Sequence, residues 1–381
     1  MCRAFLAVVA LVAVFAPPVQ GSTADVSQDA PAPRVDASAW YLVGEDGVLL
    51  AQQNGRQPRA IASITKLMTA LVVMEHAKLS DVVRVTSYRP GRLESTVQLR
   101  AGEELTVAEL LRGMLIPSAN DAAHMLALHV GKGSIARFVD LMNAKARELG
   151  LTDTSFRNPH GLDEPGHVSS ARDTTALVRY ALGVPFVRDA LERTSFARPG
   201  GGVFPTTDDL LSRWPPLVGG KTGHTEKAGW SEAAAASRGG VTVYGTVLGS
   251  TSRSGRNDAL QELLAFGLSR YRPVQAIDAR RVYARPETGY GRPEVELLAR
   301  RPAVRTVLVG TQLVERVVAP ESVTLPVAKG QELGRVEVLE RGRVVASSPL
   351  VAAEAVSEPG LISKALWFAG RTADNLWGIV T

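Results

Sequence analysis

The sequence predicts an α+β fold, in which an antiparallel sheet carries packed helices, followed by a small all-β domain. Two observations predict the first part: apolar runs of strand length open and close residues 38–273, and the segments between them have helical spacing. A third predicts the second part, because residues 274–353 contain short valine-rich runs separated by glycine and proline and have no long helical period. A chain of 381 residues has room for both.

Local patterns justify the elements in chain order. Two apolar runs around Glu45-Asp46-Gly47 predict a hairpin. Helical spacing follows, and two further helical segments are separated at Pro117. Residues 133–150 form an amphipathic helix closed by its final glycine. After a long loop over 157–172 and another helix, two strands around Gly239-Gly240 and a last helix complete the region.

Both ends of the chain have a distinctive composition. Residues 1–24 contain a basic residue, an apolar run too short to span a bilayer and a small-residue segment, the pattern of a cleaved export signal. Residues 25–37 have the composition of a linker. Residues 354–381 are strongly apolar, and their few charges fall near one side of a helix, which predicts an amphipathic helix on a membrane surface. The alternative is a helix docked on the protein itself.

Cysteine content and charge exclude several classes of function. The single cysteine, Cys2, lies in the predicted signal, so the mature chain has no thiol for a disulfide, a nucleophile or a metal site. The net charge of +5 comes from scattered Lys and Arg residues, which suits an anionic wall polymer or lipid and forms no nucleic-acid patch. The histidines contain no His-x-x-x-His pair, so no metal or other cofactor is expected.

The segment GGKTGHTEKAGW contains Gly-Lys-Thr, the three residues that end a phosphate-binding loop. Such a loop needs a glycine five positions before Gly220, where this chain has Pro215, and proline has no N–H to offer a phosphate. Lys221 and Thr222 instead offer a cation and a hydroxyl to a carboxylate. Gly223 permits the close approach of another backbone.

Two more motifs carry reactive groups. Ser63 and Lys66 are three residues apart at a predicted helix start, so they share a face, and a lysine of lowered pKa can remove a serine's proton. Ser118 and Asn120 follow the helix break at Pro117, where a hydroxyl can relay a proton and an amide can hold a peptide group. Each motif taken alone is also what a helix cap or turn provides.

The three motifs together change this interpretation. Ser-x-x-Lys, Ser-x-Asn and Lys-Thr-Gly each occur once, in the order used by active-site-serine penicillin-recognising enzymes. With blocks such as ASITKLMTA, IPSANDAA and FRNPHGLD, the chain resembles the low-molecular-weight penicillin-binding proteins, specifically the D-alanyl-D-alanine carboxypeptidases with a C-terminal β domain. The resemblance is strong over about residues 38–270 and implies a β-lactamase/transpeptidase-like fold.

Two departures from the family pattern flank the Lys-Thr-Gly motif. Val218-Gly219 stands where the family usually has Asp-Gly, and Asp208-Asp209-Leu210-Leu211 stands where it usually has Asn-x-Leu-Leu. Both lie beside the implied substrate strand, so they bear on substrate preference more than on the chemistry.

The resemblance implies a role for each motif residue. Ser63 attacks the carbonyl of the penultimate D-alanine, Lys66 takes its proton, and Ser118 passes a proton to the leaving D-alanine. The backbone N–H groups of Ser63 and His224 form the oxyanion hole. The implied substrate-binding set, which holds the peptide chain and the terminal carboxylate, is Asn120, Lys221, Thr222, Gly223, His224 and Arg256.

The implied partners are the pentapeptide stems of peptidoglycan and β-lactam antibiotics, with the tail holding a periplasmic enzyme on the outer face of the inner membrane. Loop 157–172 offers His160, Asp163, Glu164 and His167, and none of these is in the context of the glutamate that deacylates class A β-lactamases. Slow release of penicillin is therefore expected. A β-lactamase, an endopeptidase for D-alanyl cross-links and a non-catalytic wall-binding scaffold remain the alternatives.

Overall fold

A computed structural model describes residues 33–91, 94–367 and 369. The predicted export signal, most of the predicted linker and the end of the tail lie outside these residues. The chain divides into two compact units, and the boundary falls between Arg270 and Tyr271.

The first unit contains a sheet, short hairpins and a group of helices. Its strands are β1 (Ala39–Gly44), β2 (Leu49–Gln53), β3 (Val82–Arg84), β4 (Glu104–Thr106), β5 (Ser195–Ala197), β6 (Val203–Pro205), β7 (Leu217–Thr225), β8 (Gly229–Arg238) and β9 (Val241–Ser250). Its helices are α1 (Lys66–His76), α2 (Val107–Leu115), α3 (Asn120–Val130), α4 (Ile135–Glu148), α5 (Ala171–Leu182), α6 (Pro185–Leu191) and α7 (Arg253–Ser269).

The central sheet is antiparallel, with strand order β2-β1-β9-β8-β7. The predicted hairpin at the start of the chain is β1-β2. The predicted pair of strands around Gly239-Gly240 is β8-β9, and both glycines have the positive φ that the turn requires. The order places β7, which carries the Lys-Thr-Gly motif, at one edge of the sheet, where its outer side is open to other elements.

Helices cover both faces of this sheet. The hydroxyl of Thr175 in α5 donates a hydrogen bond to Thr246 in β9 over 2.9 Å. The preceding residue of β9, Gly245, faces the opposite side of the sheet, and a Cβ there would lie 3.1 Å from Leu264 of α7. Strand β8 is correspondingly apolar on both sides, since Ala233–Ala236 are all buried. The sequence AAAA is thus a strand between two helical layers.

The remaining helices form a layer that carries the Ser118 motif and the Ser63 motif. Thr106 starts α2 with a capping box, because its hydroxyl accepts from the Glu109 N–H and the Glu109 carboxylate accepts from the Thr106 N–H. The predicted break at Pro117 separates α2 from α3. The core that α1, α2, α3 and α4 share contains Leu67, Met68, Met114, Met125 and Phe138, all buried.

The second unit is all-β up to its final segment, as the sequence predicts. Its strands are β10 (Tyr271–Ile277), β11 (Val282–Ala284), β12 (Glu287–Thr288), β13 (Leu297–Ala299), β14 (Ala303–Leu308), β15 (Leu313–Val318), β16 (Ser322–Val323), β17 (Glu332–Glu340) and β18 (Arg343–Ala352). A five-stranded sheet has the order β11-β13-β18-β17-β15, and its core includes Ile277, Leu297, Val336 and Leu350.

Residues 361–367 are helical. Within the described part of the chain, no helix combines the length and apolar character needed to cross a membrane.

Candidate active site

Ser63 and Lys66 lie where the chain turns into α1. A single 3-10 turn, Ala62–Thr65, carries Ser63, and α1 begins at Lys66. The Nζ of Lys66 lies 2.7 Å from the Oγ of Ser63. The predicted spacing of three therefore does bring the two side chains into contact. Lys66 is fully buried.

The surroundings of Lys66 decide its protonation state. Its Nζ also donates to the Asn120 Oδ1 over 2.6 Å and to the His160 carbonyl over 3.1 Å. Burial, and then the charge of Lys221, hold the pKa of Lys66 well below its usual value of 10.5. A neutral amine has two N–H groups and one lone pair. With the N–H groups directed to Asn120 and His160, the lone pair is left to accept the proton of Ser63.

Asn120 is held from its other side by Glu94. Its Nδ2 donates to the Glu94 Oε2 over 2.9 Å, and the Tyr88 hydroxyl donates to the same oxygen over 2.5 Å. Burial raises the pKa of Glu94, but the hydrogen bonds from Tyr88, Asn120 and the Gly91 N–H outweigh it and lower that pKa overall. Both polar atoms of the Asn120 amide are therefore used within the protein.

The loop over 157–172 packs against the beginning of α1. Thr69 donates to the Pro159 carbonyl over 2.6 Å. Gly161 has φ +91, and a Cβ there would lie 1.9 Å from the Ala62 carbonyl oxygen. No other residue fits at that position, because only glycine lacks the Cβ and adopts this φ freely. The loop thus fixes the turn that carries Ser63.

The acidic residues and histidines of this loop have structural partners. Glu164 accepts from the Asn158 amide over 3.0 Å, and Asp163 accepts from the Thr225 hydroxyl over 2.8 Å. Burial, and then the charge of Lys66, lower the pKa of His160 to about 3. Burial lowers the pKa of His167 to about 4. Because the Arg157 N–H donates to the His167 Nδ1, the proton of this neutral ring is on Nε2, 2.8 Å from the Thr65 hydroxyl.

The edge strand β7 closes the other side of the site. A Cβ on Gly223 would lie 2.7 Å from the Ile61 carbonyl oxygen and 3.1 Å from the Ser63 nitrogen. The predicted close approach at Gly223 is thus to the backbone of the serine itself. The Thr222 hydroxyl lies 2.6 Å from that of Thr207.

Lys221 is buried next to Thr222. Its Nζ donates to the Thr222 carbonyl over 3.1 Å. Burial lowers the pKa of Lys221, the acidic Glu232 and Asp208 partly oppose this, and the charge of Arg256 adds to it, so that the pKa is about 7.

Ser118 lies between the two helices of its layer. It is buried, with φ +66, a left-handed conformation that is costly for a serine. Such strain at a non-glycine residue persists where the surrounding structure imposes it, and it is typical of functional positions.

The last two residues of the predicted set have different environments. The exposed His224 ring stacks on Trp230, with ring centroids 4.0 Å apart. The Arg256 guanidinium is buried behind β7, with NH2 2.8 Å from the Asp209 Oδ1 and Nε 3.1 Å from the Glu232 Oε2. Its charge is therefore already compensated by the protein.

A serine in contact with a buried lysine, beside an edge strand that carries a second lysine, defines a serine-type peptidase. The sequence profile of the family described as D-alanyl-D-alanine carboxypeptidase matches residues 25–252. The chain belongs to this family. Among the described residues, no cluster of three or more His, Cys, Asp or Glu side chains is placed to hold a metal ion.

Curated relatives extend the similarity over most of the chain. D-alanyl-D-alanine carboxypeptidase DacF of Bacillus subtilis is 31% identical over 342 residues, covering 86% of this chain and 87% of the relative. DacC of Escherichia coli is 32% identical over 362 residues, covering 88% of each.

Solved structures show the same similarity. Penicillin binding protein 5 from Haemophilus influenzae has a TM-score of 0.62 and 28% identity, over 86% of this chain and 99% of that one. The Streptomyces K15 DD-transpeptidase has a TM-score of 0.59 and 30% identity, over 62% of this chain and 99% of that one. The predicted α+β fold with antiparallel sheet and the small all-β domain are thereby confirmed.

Sequence reasoning missed several groups that contact the motif residues. Glu94 and the His160 carbonyl hold Asn120 and Lys66. Glu232 contacts Arg256. One signal for Glu232 was present, since a single glutamate interrupts an otherwise small and apolar strand sequence, SEAAAAS.

Proposed function

We propose that this enzyme removes the terminal D-alanine from the pentapeptide stems of peptidoglycan through an acyl-enzyme formed on Ser63. The observation that carries the proposal is the 2.7 Å contact between the Ser63 hydroxyl and the fully buried amine of Lys66. Family membership supplies the substrate class.

Acylation begins with proton transfer from Ser63 to Lys66. The lowered pKa of Lys66 favours the neutral amine, which can accept that proton. The Ser63 oxygen attacks the carbonyl of the penultimate D-alanine, and the oxyanion is stabilised by the backbone N–H groups of Ser63 and His224. One such donor contributes roughly 2.7–4 kcal/mol in other enzymes. The closeness of Gly223 to the Ser63 nitrogen supports this arrangement.

Collapse of the intermediate requires a proton for the leaving D-alanine. Ser118 is the proposed relay, taking the proton from Lys66 and passing it to the amine as the C–N bond breaks. Its burial and its strained backbone support a functional role. Asn120 orients Lys66 through its Oδ1, and the second N–H of its amide is left to bind the substrate's peptide chain.

Recognition of a free terminal carboxylate is assigned to Lys221 and Thr222, with Gly223 allowing the strand to approach. A buried ammonium and a hydroxyl on an edge strand provide charge-assisted hydrogen bonds to such a group. Arg256 acts from behind the strand, because its guanidinium is buried against Asp209 and Glu232. Because this site binds a free terminal carboxylate, only the residue at the end of the peptide chain is removed.

Water then releases the tetrapeptide stem. Asp163 and Glu164 are both engaged in hydrogen bonds, so neither is placed as a free base for deacylation. The same absence of a dedicated base supports long-lived acylation by β-lactams and disfavours a β-lactamase. The cross-link endopeptidase is the remaining enzymatic alternative, and the contacts of Lys66 disfavour a non-catalytic scaffold.

The test is purified mature enzyme with a D-alanyl-D-alanine pentapeptide, following free D-alanine. The wild type should release D-alanine and be labelled by fluorescent penicillin, and Ser63→Ala should do neither. Replacing the terminal carboxylate of the peptide with an amide should reduce turnover strongly. Labelling of Ser63→Ala would overturn the nucleophile assignment, and equal rates on acid and amide would favour the endopeptidase.

A second part of the proposal places the enzyme in the periplasm, attached to the outer face of the inner membrane through residues 354–381. Leu361, Ile362 and Leu366 are 85%, 79% and 68% exposed, which supports an apolar surface available to lipid. The alternative is a helix docked on the protein itself. The rings of Trp367 and Tyr290 meet edge-on with centroids 5.5 Å apart, which is the kind of contact that this alternative predicts.

Truncation before Glu358 tests the attachment. The full mature protein should sediment with anionic vesicles, and the truncated enzyme should remain in solution with full activity. Identical sedimentation of the two forms would overturn it.

A further inference from the structure

Two acidic side chains, Asp208 and Glu232, are buried together behind the edge strand. Glu232 is directly opposite Thr222 in the β7–β8 pairing, so the two side chains share a face of the sheet. Glu232 is completely buried and Asp208 nearly so. Burial raises the pKa of both carboxyl groups, and a hydrogen bond between them acts to lower the pKa of Asp208 and to raise the pKa of Glu232, which places them as neighbours. We refer to them as the carboxyl pair.

The hydrogen bonds of the pair require a proton. The Asp208 Oδ1 accepts from the N–H groups of Leu210 and Leu211. No donor in the described protein makes a hydrogen bond to the Asp208 Oδ2 or to either oxygen of Glu232, and the 3.1 Å ion pair with Arg256 Nε lacks hydrogen-bond alignment. Two ionised carboxylates here would leave three acceptors unsatisfied, which is costly in a buried site.

A proton on Glu232 leaves one of these three oxygens without a partner instead of three. Its O–H then donates to the free Oδ2 of Asp208, which remains the carboxylate fixed by its two backbone N–H groups. This agrees with the pKa of Glu232, which burial and the neighbouring negative charge of Asp208 both raise well above its usual value.

We propose that Glu232 is a positioning residue for the substrate-carboxylate site: as a neutral acid it donates to Asp208, and its carboxyl group, 3.1 Å from the Arg256 Nε, holds Arg256 behind Lys221 and Thr222. The inference rests on the proposed function, since it assumes that Lys221 and Thr222 bind a terminal carboxylate. Glu232 acts through its neighbours and makes no contact with the reacting atoms.

The test compares Glu232→Ala and Glu232→Gln in the mature enzyme with the D-alanyl-D-alanine pentapeptide. The alanine variant should raise KM about 10-fold or more, because a buried hydrogen bond to a charged group is lost, and change kcat much less. Glutamine should recover most of this loss, because its amide donates to Asp208 as the acid does. Glu262→Ala, an exposed glutamate on α7, is the matched control.

Infrared spectroscopy tests the protonation of Glu232 directly, and a purely structural role would not require that proton. At neutral pH, the wild-type-minus-Glu232→Gln difference spectrum should contain the carbonyl band of a protonated carboxylic acid. This measurement and the glutamine variant decide the question if the alanine variant does not fold.

Unchanged KM in Glu232→Ala, or a difference spectrum without the acid band, would overturn the inference. A glutamine variant as impaired as the alanine variant would do the same. A wild-type enzyme that releases no D-alanine would instead overturn the proposed function, so the two failures are distinguishable.

Discussion

Replacing Lys221 with methionine should make the protein more stable while it makes the enzyme worse. The pKa of Lys221 falls from 10.5 to about 7 in the folded chain because the ammonium loses its hydration on burial. Each pKa unit corresponds to about 1.36 kcal/mol, so folding a protonated Lys221 costs on the order of 5 kcal/mol. A methionine of similar length carries no such cost.

The stability that Lys221→Met gains should depend on pH. The folded-state pKa is lowered, so the cost is fully present below about pH 7 and disappears as the pH rises towards the unfolded value of 10.5. Lys221→Met should therefore gain on the order of 5 kcal/mol at pH 6 and only about 2 kcal/mol at pH 9. The variant should also lose at least about 10-fold in kcat/KM, because the charge-assisted contact with the carboxylate is gone.

Urea denaturation of both proteins at pH 6 and pH 9 measures the difference in unfolding free energy. Lys227→Met is the matched control, since Lys227 is exposed on the turn that follows β7 and should show no pH-dependent gain. A wild type that is more stable than Lys221→Met at pH 6, or a difference that is the same at both pH values, would refute the reasoning.

Three further predictions concern the serine–lysine pair and its supports. Lys66→Arg should fold, as circular dichroism would verify, and release D-alanine at least about 100-fold more slowly, because a guanidinium does not deprotonate; a rate near wild type would assign the base elsewhere. The charge of Glu94 raises the pKa of Lys66, so Glu94→Gln should move the acid limb of the pH–kcat/KM profile to lower pH; a limb that stays in place or moves up contradicts this. Gly161→Ala should lower the free energy of unfolding, measured by urea denaturation, by about 2 kcal/mol more than Gly133→Ala does. Both glycines have positive φ, but only a Cβ on Gly161 would meet a backbone oxygen. Equal losses would mean that this contact is absent.

The sequence predicted those features that depend on local spacing. The hairpin, the helix break at Pro117 and the contact of Ser63 with Lys66 all follow from residues within a few positions of each other. The role of Gly223 was predictable for a similar reason, because a glycine within a strand indicates the close approach of another backbone. In each case the chemistry of a short segment was enough.

The remaining parts of the site depend on contacts between distant segments. Asn120 meets Glu94 across 26 positions, and Lys66 meets the His160 carbonyl across 94. No periodicity connects such residues, since only the packing of the loops on α1 and α3 brings them together. The carboxyl pair is a stronger case, because an acidic residue within an apolar strand has no explanation until its partner is known.

The coupling between the two lysines links substrate recognition to catalysis. The charge of Lys221 is, after burial, the main cause of the lowered pKa of Lys66. A peptide carboxylate bound at Lys221 would cancel that charge, so the pKa of Lys66 should rise in the complex and Lys66 should become the stronger base when substrate is present. The acid limb of kcat, which reports the complex, should then lie at higher pH than the acid limb of kcat/KM, which reports the free enzyme. Steady-state kinetics with the D-alanyl-D-alanine pentapeptide measure both, and coincident limbs would show that the carboxylate does not reach Lys221.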